Sequence, residues 1–554
     1  MIAAEAWQPA DGLTLEPNAL TAAKEVERSV ALTAGPGAGK TEMLAQRADF
    51  LLRTQACRYP KRILAISFKV DASANLKERV RRRCGRELAG RFDSHTFHAF
   101  AKRLIDRFRP VLTGNDALDP DYTIGENRVP RTTITFNDLV PLGVEVLKRS
   151  EMAKNAVRQT YSDVFLDEFQ DCTRQQYELI KLAFHGTPIR LVAVGDTKQK
   201  IMGWAGALEG IFVAFAKDFN ATPLNLYRNF RSKPQLLRMQ NEIIKVLDPT
   251  AVMPDELIKG QGGTIEIKAF EDSEKEAAFV AEKVHDWVNV EKLAHAEVAI
   301  LVSKQPDLYA DLLMAEFYRR GIRFRNEQDL QDLTSEPVTR LIIDYLLVLY
   351  GQREPEAYMR LMSILTEAAV EDDEQDTFRS DWNRRLSEAR ESVANFGNNF
   401  DTVWSAAESF LKEFGVERLV SLSADYESRP RLDELITETQ RRLRAAFEME
   451  PDICSALKLL ASGFGVRILT IHKCKGLEFN SVVILGVEKE TFWGKVADER
   501  CGFFVGMSRA KEQLLLTHVA YRRTPDPKPK VWNEARKPYK EFLDYAAPFV
   551  IAAK

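Results

Sequence analysis

The chain has 554 residues, 45% of them hydrophobic and 29% charged, and carries a formal net charge of −3. That length exceeds what one hydrophobic core supports and implies three or four domains or subdomains. The composition is that of an ordinary globular protein, and its near-neutral charge excludes a generally basic nucleic-acid binder, so any such binding must rest on local patches.

The N-terminal MIAAEAWQPADG has neither a cationic start nor a long apolar stretch and does not read as a signal peptide. Val30-Ala31-Leu32-Thr33 reads as a buried strand, and Met43 to Ala48 reads as a helix. Between them, residues 34–41 spell AGPGAGKT. Gly35, Gly37 and Gly39 let the backbone curl so that successive N–H groups point at an anion, and the helix start adds its positive dipole end. In such a loop Lys40 reaches the outer phosphates and Thr41 offers its hydroxyl to Mg²⁺. The stretch from Gly35 through Pro36, Gly37, Ala38, Gly39, Lys40 and Thr41 to Glu42 is therefore the expected nucleotide cradle.

Lys77 to Arg91 is a basic run with helical pattern, read as a solvated helix face. Residues 108–131 are rich in proline and aspartate without periodicity and read as a small insertion. Residues 163–171, DVFLDEFQD, read as a strand that delivers Asp167 and Glu168 at its carboxyl end. Asp167 suits the Mg²⁺ shell, and Glu168 suits orienting and deprotonating the attacking water.

Apolar runs at 63–68, 164–167, 191–195 and 224–226 alternate with helical stretches, as in a parallel sheet covered on both faces. A second series follows the Gly-Gln-Gly-Gly break at 260–263, at 264–270, 298–302, 322–325, 467–471, 482–487 and 513–517. Between them, amphipathic helices take over, one at 401–414 with Asp401 as its expected N-cap and another at 431–447. The apolar run 341–350 is too short to span a bilayer and carries Asp344. The expected organisation is residues 1–107 and 132–250 as one α/β domain with 108–131 inserted, then 251–350 and 464–554 as a second with 351–463 inserted.

The six cysteines are scattered without a CxxC pair and read as thiols of a reducing compartment, so a cytoplasmic location is expected. His95 and His98 lack companion ligands, so no zinc site is expected. The basic, proline-rich stretch from Arg522 to Lys540 reads as a C-terminal loop or tail.

Several segments together resemble the UvrD/Rep branch of superfamily 1 helicases. RILAISFKVDASANLKERV (62–80) is similar to that family's motif Ia, FDSHTFHAFAKRLI (92–105) to motif Ib and AVGDTKQKIMGWAGA (193–207) to motif III. LNLYRNFRS (224–232) resembles motif IV, TIHKCKGLEF (470–479) motif V and FFVGMSRAKEQLLL (503–516) motif VI. The resemblance implies an α/β fold of two RecA-like parallel-sheet domains, each interrupted by a mainly helical insertion, with ATP and Mg²⁺ in the cleft between them.

By the same resemblance Gln199 hydrogen-bonds the γ-phosphate, and Arg231 and Arg509 neutralise the transferred phosphoryl group from opposite sides. Glu478 contacts the ribose or stabilises the cleft, and Phe230 stands where the family stacks a tyrosine on adenine. Phe68, Thr96, His98, Phe136, Trp204 and His472 match positions that contact a single DNA strand, with a packed core position the alternative for Phe136. The implied activity is 3′-to-5′ translocation on single-stranded and tailed duplex DNA.

The chain also departs from the pattern. Residues 14–25 offer no glutamine to read adenine, Met202 and Ala205 replace an aromatic and a basic residue, and both insertions are short. Short standalone members, such as those of Gabija-type anti-phage systems, imply a second possibility: a DNA-stimulated ATPase that serves a nuclease partner. No Asn-Lys-x-Asp guanine reader and no Ser-Gly-Gly signature is present, which weighs against a GTPase switch and an ABC-type ATPase.

Overall fold

The computed structural model describes residues 2–550 apart from 69, 126, 200–207, 209, 328–332, 334, 335, 367–371, 395–398, 423–425, 427, 428, 451, 461–464 and 527. In chain order the first strands are β1 (Val30–Ala34), β2 (Arg62–Ser67), β3 (Phe92–Thr96), β4 (Leu118–Ile124), β5 (Arg131–Ile134), β6 (Tyr161–Leu166), β7 (Arg190–Gly195) and β8 (Thr222–Leu226). Six of them form one parallel sheet in the order β3-β2-β6-β7-β1-β8.

The two-residue period of a strand explains why this sheet is covered on both faces. Ala31, Leu64, Ile66, Val164, Leu166 and Ala193 join a core with the helices Phe97–Phe108, Leu139–Arg149 and Arg174–Phe184. Their neighbours Val30, Leu32, Ile63, Ala65, Phe165 and Val192 point the other way, into a core with the helix Lys40–Arg53. Strand β3 was not expected from its sequence, FDSHT. It lies at the sheet edge, paired only with β2, where polar residues are tolerated.

The first insertion is not helical beyond short 3₁₀ turns. It folds as those turns and a two-stranded ladder of β4 with β5, and Leu112, Tyr122 and Ile124 pack into the first domain's own core. Proline at 110 and 120 and glycine at 114 leave no room for a regular helix there.

The second sheet comprises β9 (Thr264–Asp272), β10 (Val298–Val302), β11 (Phe324–Asn326), β12 (Val466–Thr470), β13 (Phe479–Ile484) and β14 (Ala510–Tyr521). All neighbours run parallel, in the order β11-β12-β10-β13-β14-β9. Alternation again divides it. Val298, Ile300 and Val302 enter one core, and Ala299 and Leu301 enter the other.

Two boundaries differ from the sequence expectation. The helix Pro234–Leu247 was expected in the first domain, but Leu236, Met239, Ile243 and Ile244 pack with Ile484, Phe503 and Leu516 of the second. The i, i+3, i+7, i+8 spacing of those four residues puts them on one face, and the chain reaches the second sheet directly after β8. Likewise the helix Pro337–Tyr350 is the centre of the helical insertion, not part of the second sheet domain. Its Leu341, Ile342, Tyr345 and Leu346 are buried among Trp404, Phe410 and Leu457. Burial on nearly every side explains its apolar run, and no helix among the described residues is long and apolar enough to cross a membrane.

Trp404 and Phe410 are core residues, with Phe410 stacked on Tyr345 at 3.9 Å between ring centroids. Asn399, rather than Asp401, caps their helix by accepting from the Thr402 N–H. The C-terminal stretch is not a loose tail. Arg522 inserts between Glu276 and Glu488 at 2.8 and 2.7 Å, and the Trp532 indole donates to the Arg522 carbonyl.

Candidate nucleotide cleft and strand-facing surface

The loop after β1 turns through two left-handed glycines, Gly37 (φ 68°) and Gly39 (φ 79°), before the helix Lys40–Arg53 begins. Gly37 is needed for space as well as for angle. A Cβ there would meet the Asn229 side-chain oxygen at 2.5 Å and the Arg231 Cβ at 2.6 Å. The Phe230 N–H donates to the Gly37 carbonyl at 2.9 Å, so the segment after β8 is docked on the glycine loop. Asn229 organises that segment, accepting from the N–H groups of Arg231 and Ser232.

The Lys40 ammonium donates to the carbonyls of Ala34 and Gly35, each at 3.1 Å. Burial holds its pKa below the usual lysine value, while Glu168, Asp196 and Asp167 act against that shift. Thr41 follows in the first helical turn, half-buried. Glu42 is committed within the protein. Its carboxylate accepts from Arg83, Arg79 and Gln46, which also shows where part of the basic run Lys77 to Arg91 goes. Any part Glu42 has in the cradle is therefore left to its backbone N–H rather than its carboxylate.

Asp167 and Glu168 sit at the carboxyl end of β6 as expected. Asp167 is buried and accepts from the Glu168 N–H at 3.0 Å. Burial, together with the adjacent Glu168 charge, raises its pKa. Glu168 has left-handed backbone (φ 52°, ψ 38°), a conformation that side-chain-bearing residues adopt at a cost and that concentrates at functional sites. Gln170 donates to its Oε2 at 2.5 Å. Burial acts to raise the Glu168 pKa, but Lys475, Lys40 and the Gln170 hydrogen bond outweigh it, and the carboxylate stays ionised more readily than usual.

Lys475, which sequence reasoning passed over although it lies in TIHKCKGLEF, is buried at the junction of the two domains. Its ammonium donates to Asp171 Oδ2 at 2.5 Å and the Gln199 carbonyl at 3.0 Å, and lies 3.8 Å from Glu168.

Two arginines cross or line the same junction. Arg509, directly before β14, donates to the side-chain oxygen of Gln199 at 2.9 Å and to the carbonyls of Val505 and Leu477. Burial, with Arg231 nearby, lowers its pKa to about 10. Gln199 in turn donates to Asp196 Oδ2 at 2.9 Å. Arg231, from the first domain's edge, donates to Glu478 Oε2 at 2.9 Å and to the Ser508 carbonyl at 3.1 Å. Phe230 is 60% exposed, with the Arg228 guanidinium 5.3 Å above its ring.

The six strand-contact candidates divide. Phe68 is half-buried and packs on Phe97 at 5.1 Å, and Thr96 caps the helix Phe97–Phe108 by accepting from the Ala99 N–H. Both therefore have structural duties that the sequence did not reveal. His98 and Phe136 stack at 4.0 Å, and Phe136 is 50% exposed rather than core. His472 is exposed in the turn after β12; partial desolvation of its imidazole, with Glu499 acting against it, lowers its pKa. Trp204, with Met202 and Ala205, lies outside the described residues.

The catalytic-type groups thus converge from both sheets. Lys40, Asp167, Glu168, Gln199 and Arg231 come from carboxyl-end loops of the first sheet, and Glu478 and Arg509 from the starts of β13 and β14. Asp167 is buried with the part-exposed Glu168 beside it, and burial first and the Glu168 charge second raise its pKa. A divalent cation bound there would be compensated by a carboxylate otherwise costly to ionise, so the donor set fits an ion held by Asp167 and Thr41.

Comparison with known proteins agrees with this layout. The family model described as the UvrD/REP helicase N-terminal domain matches residues 15–128 and 117–220, and the UvrD-like helicase C-terminal domain matches 224–384 and 406–521. Similar proteins include DNA helicase II of Haemophilus influenzae, 23% identical over 88% of this chain and 82% of that one. ATP-dependent DNA helicase PcrA of Bacillus subtilis is 23% identical over 92% and 83%, and DNA helicase II of Escherichia coli 24% identical over 88% and 82%. With both family domains matched in order over most of its length, the chain belongs to the UvrD/REP helicase family.

Proposed function

We propose that this protein is an ATP-dependent translocase and helicase that moves 3′ to 5′ on single-stranded DNA. The observation that carries the proposal is the cross-domain contact of Arg509 with Gln199, beside the Lys475 bridge to Asp171. A hydrolysis site assembled from two sheet domains is one whose completeness depends on how those domains sit, so each turnover can be converted into relative movement. The relatives named as DNA helicases support DNA as the track.

In this reading the glycine loop and Lys40 bind the phosphates, and Phe230 offers its exposed ring to the base. Thr41 and Asp167 hold Mg²⁺, which supplies charge neutralisation on the phosphate oxygens. Glu168 orients water and accepts its proton, and its depressed pKa keeps it ionised for that task. Arg231 and Arg509 stabilise the charge that spreads over the transferred group. Glu478 holds Arg231 until nucleotide competes for it. The two RecA-like units run to about residue 231 and from there onward, with helices 337–460 as the second unit's insertion.

A second reading is favoured by the first insertion, which packs on its own domain and leaves little surface for holding duplex. In it the chain is a DNA-stimulated ATPase with weak unwinding of its own, working with a nuclease partner. A single-turnover assay on duplexes with 3′ or 5′ single-stranded tails separates the two. Unwinding by the protein alone, confined to the 3′-tailed substrate, supports the helicase, and ATPase stimulation without strand separation supports the second reading.

A further inference from the structure

Three segments meet around Phe230 and the glycine loop, and they lock one another's polar groups. Glu16, buried just before the helix Pro17–Lys24, accepts from the Tyr227 N–H at 3.3 Å with one carboxylate oxygen and from the Arg228 N–H at 3.0 Å with the other. Asn18 donates to the Asn225 carbonyl at 2.7 Å, so the N-terminal segment is clasped to the stretch that leads into Phe230. The Asn229 side-chain oxygen is taken by the N–H groups of Arg231 and Ser232. In the first turn after the glycine loop, both Glu42 oxygens are held by Arg83. Gln46, one turn further on, is engaged with Glu42 and with the backbone of Ala10.

The Phe230 ring is the surface left open for a base. It is 60% exposed, its N–H is anchored on the Gly37 carbonyl, and the Arg228 guanidinium covers one face at 5.3 Å. Arg228 therefore lies over the ring and not in the plane of a base stacked on the other face. Such a base keeps its hydrogen-bonding edge toward water, which serves the amino group of adenine and the carbonyl of guanine equally. Strong rejection of one base, by about 10⁴–10⁵, arises where a site's polar groups are built for the other's edge and stand unpaired without it. Here Glu16, Asn18, Glu42, Gln46 and Asn229 already have partners within the protein, so that source of discrimination is missing.

We infer that the cleft holds the base by stacking on Phe230 without reading its edge, and so takes GTP as well as ATP. Glu16 is a positioning residue that fixes the segment carrying the ring, not a reader of the base. Every base offers a π-face to an aromatic ring, and the two purines offer faces of the same size.

This selectivity rests on the nucleotide cleft proposed above, and the test separates the two. Phosphate release by the full chain, with single-stranded DNA present, is measured over a range of ATP and of GTP for wild type, Phe230→Ala and Glu16→Gln, with melting temperatures in parallel. Wild type should show kcat/KM values for ATP and GTP within about tenfold of each other. Phe230→Ala should raise KM for both by the same factor, about five- to hundredfold, at an unchanged melting temperature. Glu16→Gln turns one acceptor into a donor facing an N–H, and should raise both KM values together while their ratio stays as in wild type. A wild-type preference of about 10²-fold or more for either nucleotide, or a ratio that shifts in Glu16→Gln, overturns the inference and leaves the cleft assignment standing. No hydrolysis of either nucleotide by wild type overturns the cleft assignment with it.

Discussion

The guanidinium of Arg509 donates to the side-chain oxygen of Gln199 across the junction of the two sheets, at 2.9 Å. Gln199 is fixed in turn by Asp196, so a side chain of the first domain, proposed to meet the γ-phosphate, is wired to a cation carried by the second. Replacing Arg509 by alanine should lower kcat for ATP hydrolysis by about 10³-fold or more, the usual worth of such a cation. Because the side chain is buried, Arg509→Lys belongs beside it. Lysine keeps the charge but loses the fork, and should remain folded by thermal melting yet recover little of the rate. A wild-type rate in either variant contradicts the assignment.

Glu168→Gln should bind ATP and fail to turn it over. The amide preserves shape and the Gln170 neighbour while removing the proton acceptor, a loss of about 10²–10⁴-fold in rate. Lys40→Ala should instead weaken nucleotide binding itself. Equilibrium binding of a fluorescent ATP analogue, measured beside phosphate release, distinguishes the two defects.

Gly37→Ala tests the docking of the glycine loop on the segment after β8. The methyl group meets Asn229 and Arg231 and the residue must hold a left-handed φ, so nucleotide affinity should fall at least tenfold, about 1.4 kcal/mol. An unchanged affinity by titration calorimetry would mean that the loop opens freely.

Lys475→Met removes the buried ammonium from Asp171, an uncompensated loss expected to destabilise by about 3–5 kcal/mol. The double variant Lys475→Met with Asp171→Asn should regain much of the stability by denaturant unfolding. It should not regain the acceleration of ATP hydrolysis by DNA, because the bridge between the 470–479 segment and the Glu168 loop is still missing. Full acceleration in the double variant would reduce Lys475 to a structural role.

Both sheets were legible because their central strands are continuous apolar runs, and β10 was placed to the residue. Polar β3 escaped notice, since an edge strand needs no apolar face on its outer side. The domain boundaries failed for a related reason. Periodicity shows that Pro234–Leu247 has an apolar face but not which sheet covers it. The placement of segments with a fixed local pattern, the glycine loop between β1 and its helix and Asp167-Glu168 after β6, could be read directly. Pairings between distant segments could not. Glu42 with Arg83 and Lys475 with Asp171 join residues 41 and 304 positions apart, and nothing in either segment alone announces its partner.

Steady-state ATP hydrolysis with and without single-stranded DNA, over a range of salt, bears most directly on the central proposal that strand binding and the two-domain cleft are coupled. The strand should raise the rate severalfold or more at low salt, and the concentration of strand needed should climb steeply as salt displaces it. A rate that stays the same with any single-stranded nucleic acid at low salt, in a protein that still binds ATP, would contradict the account.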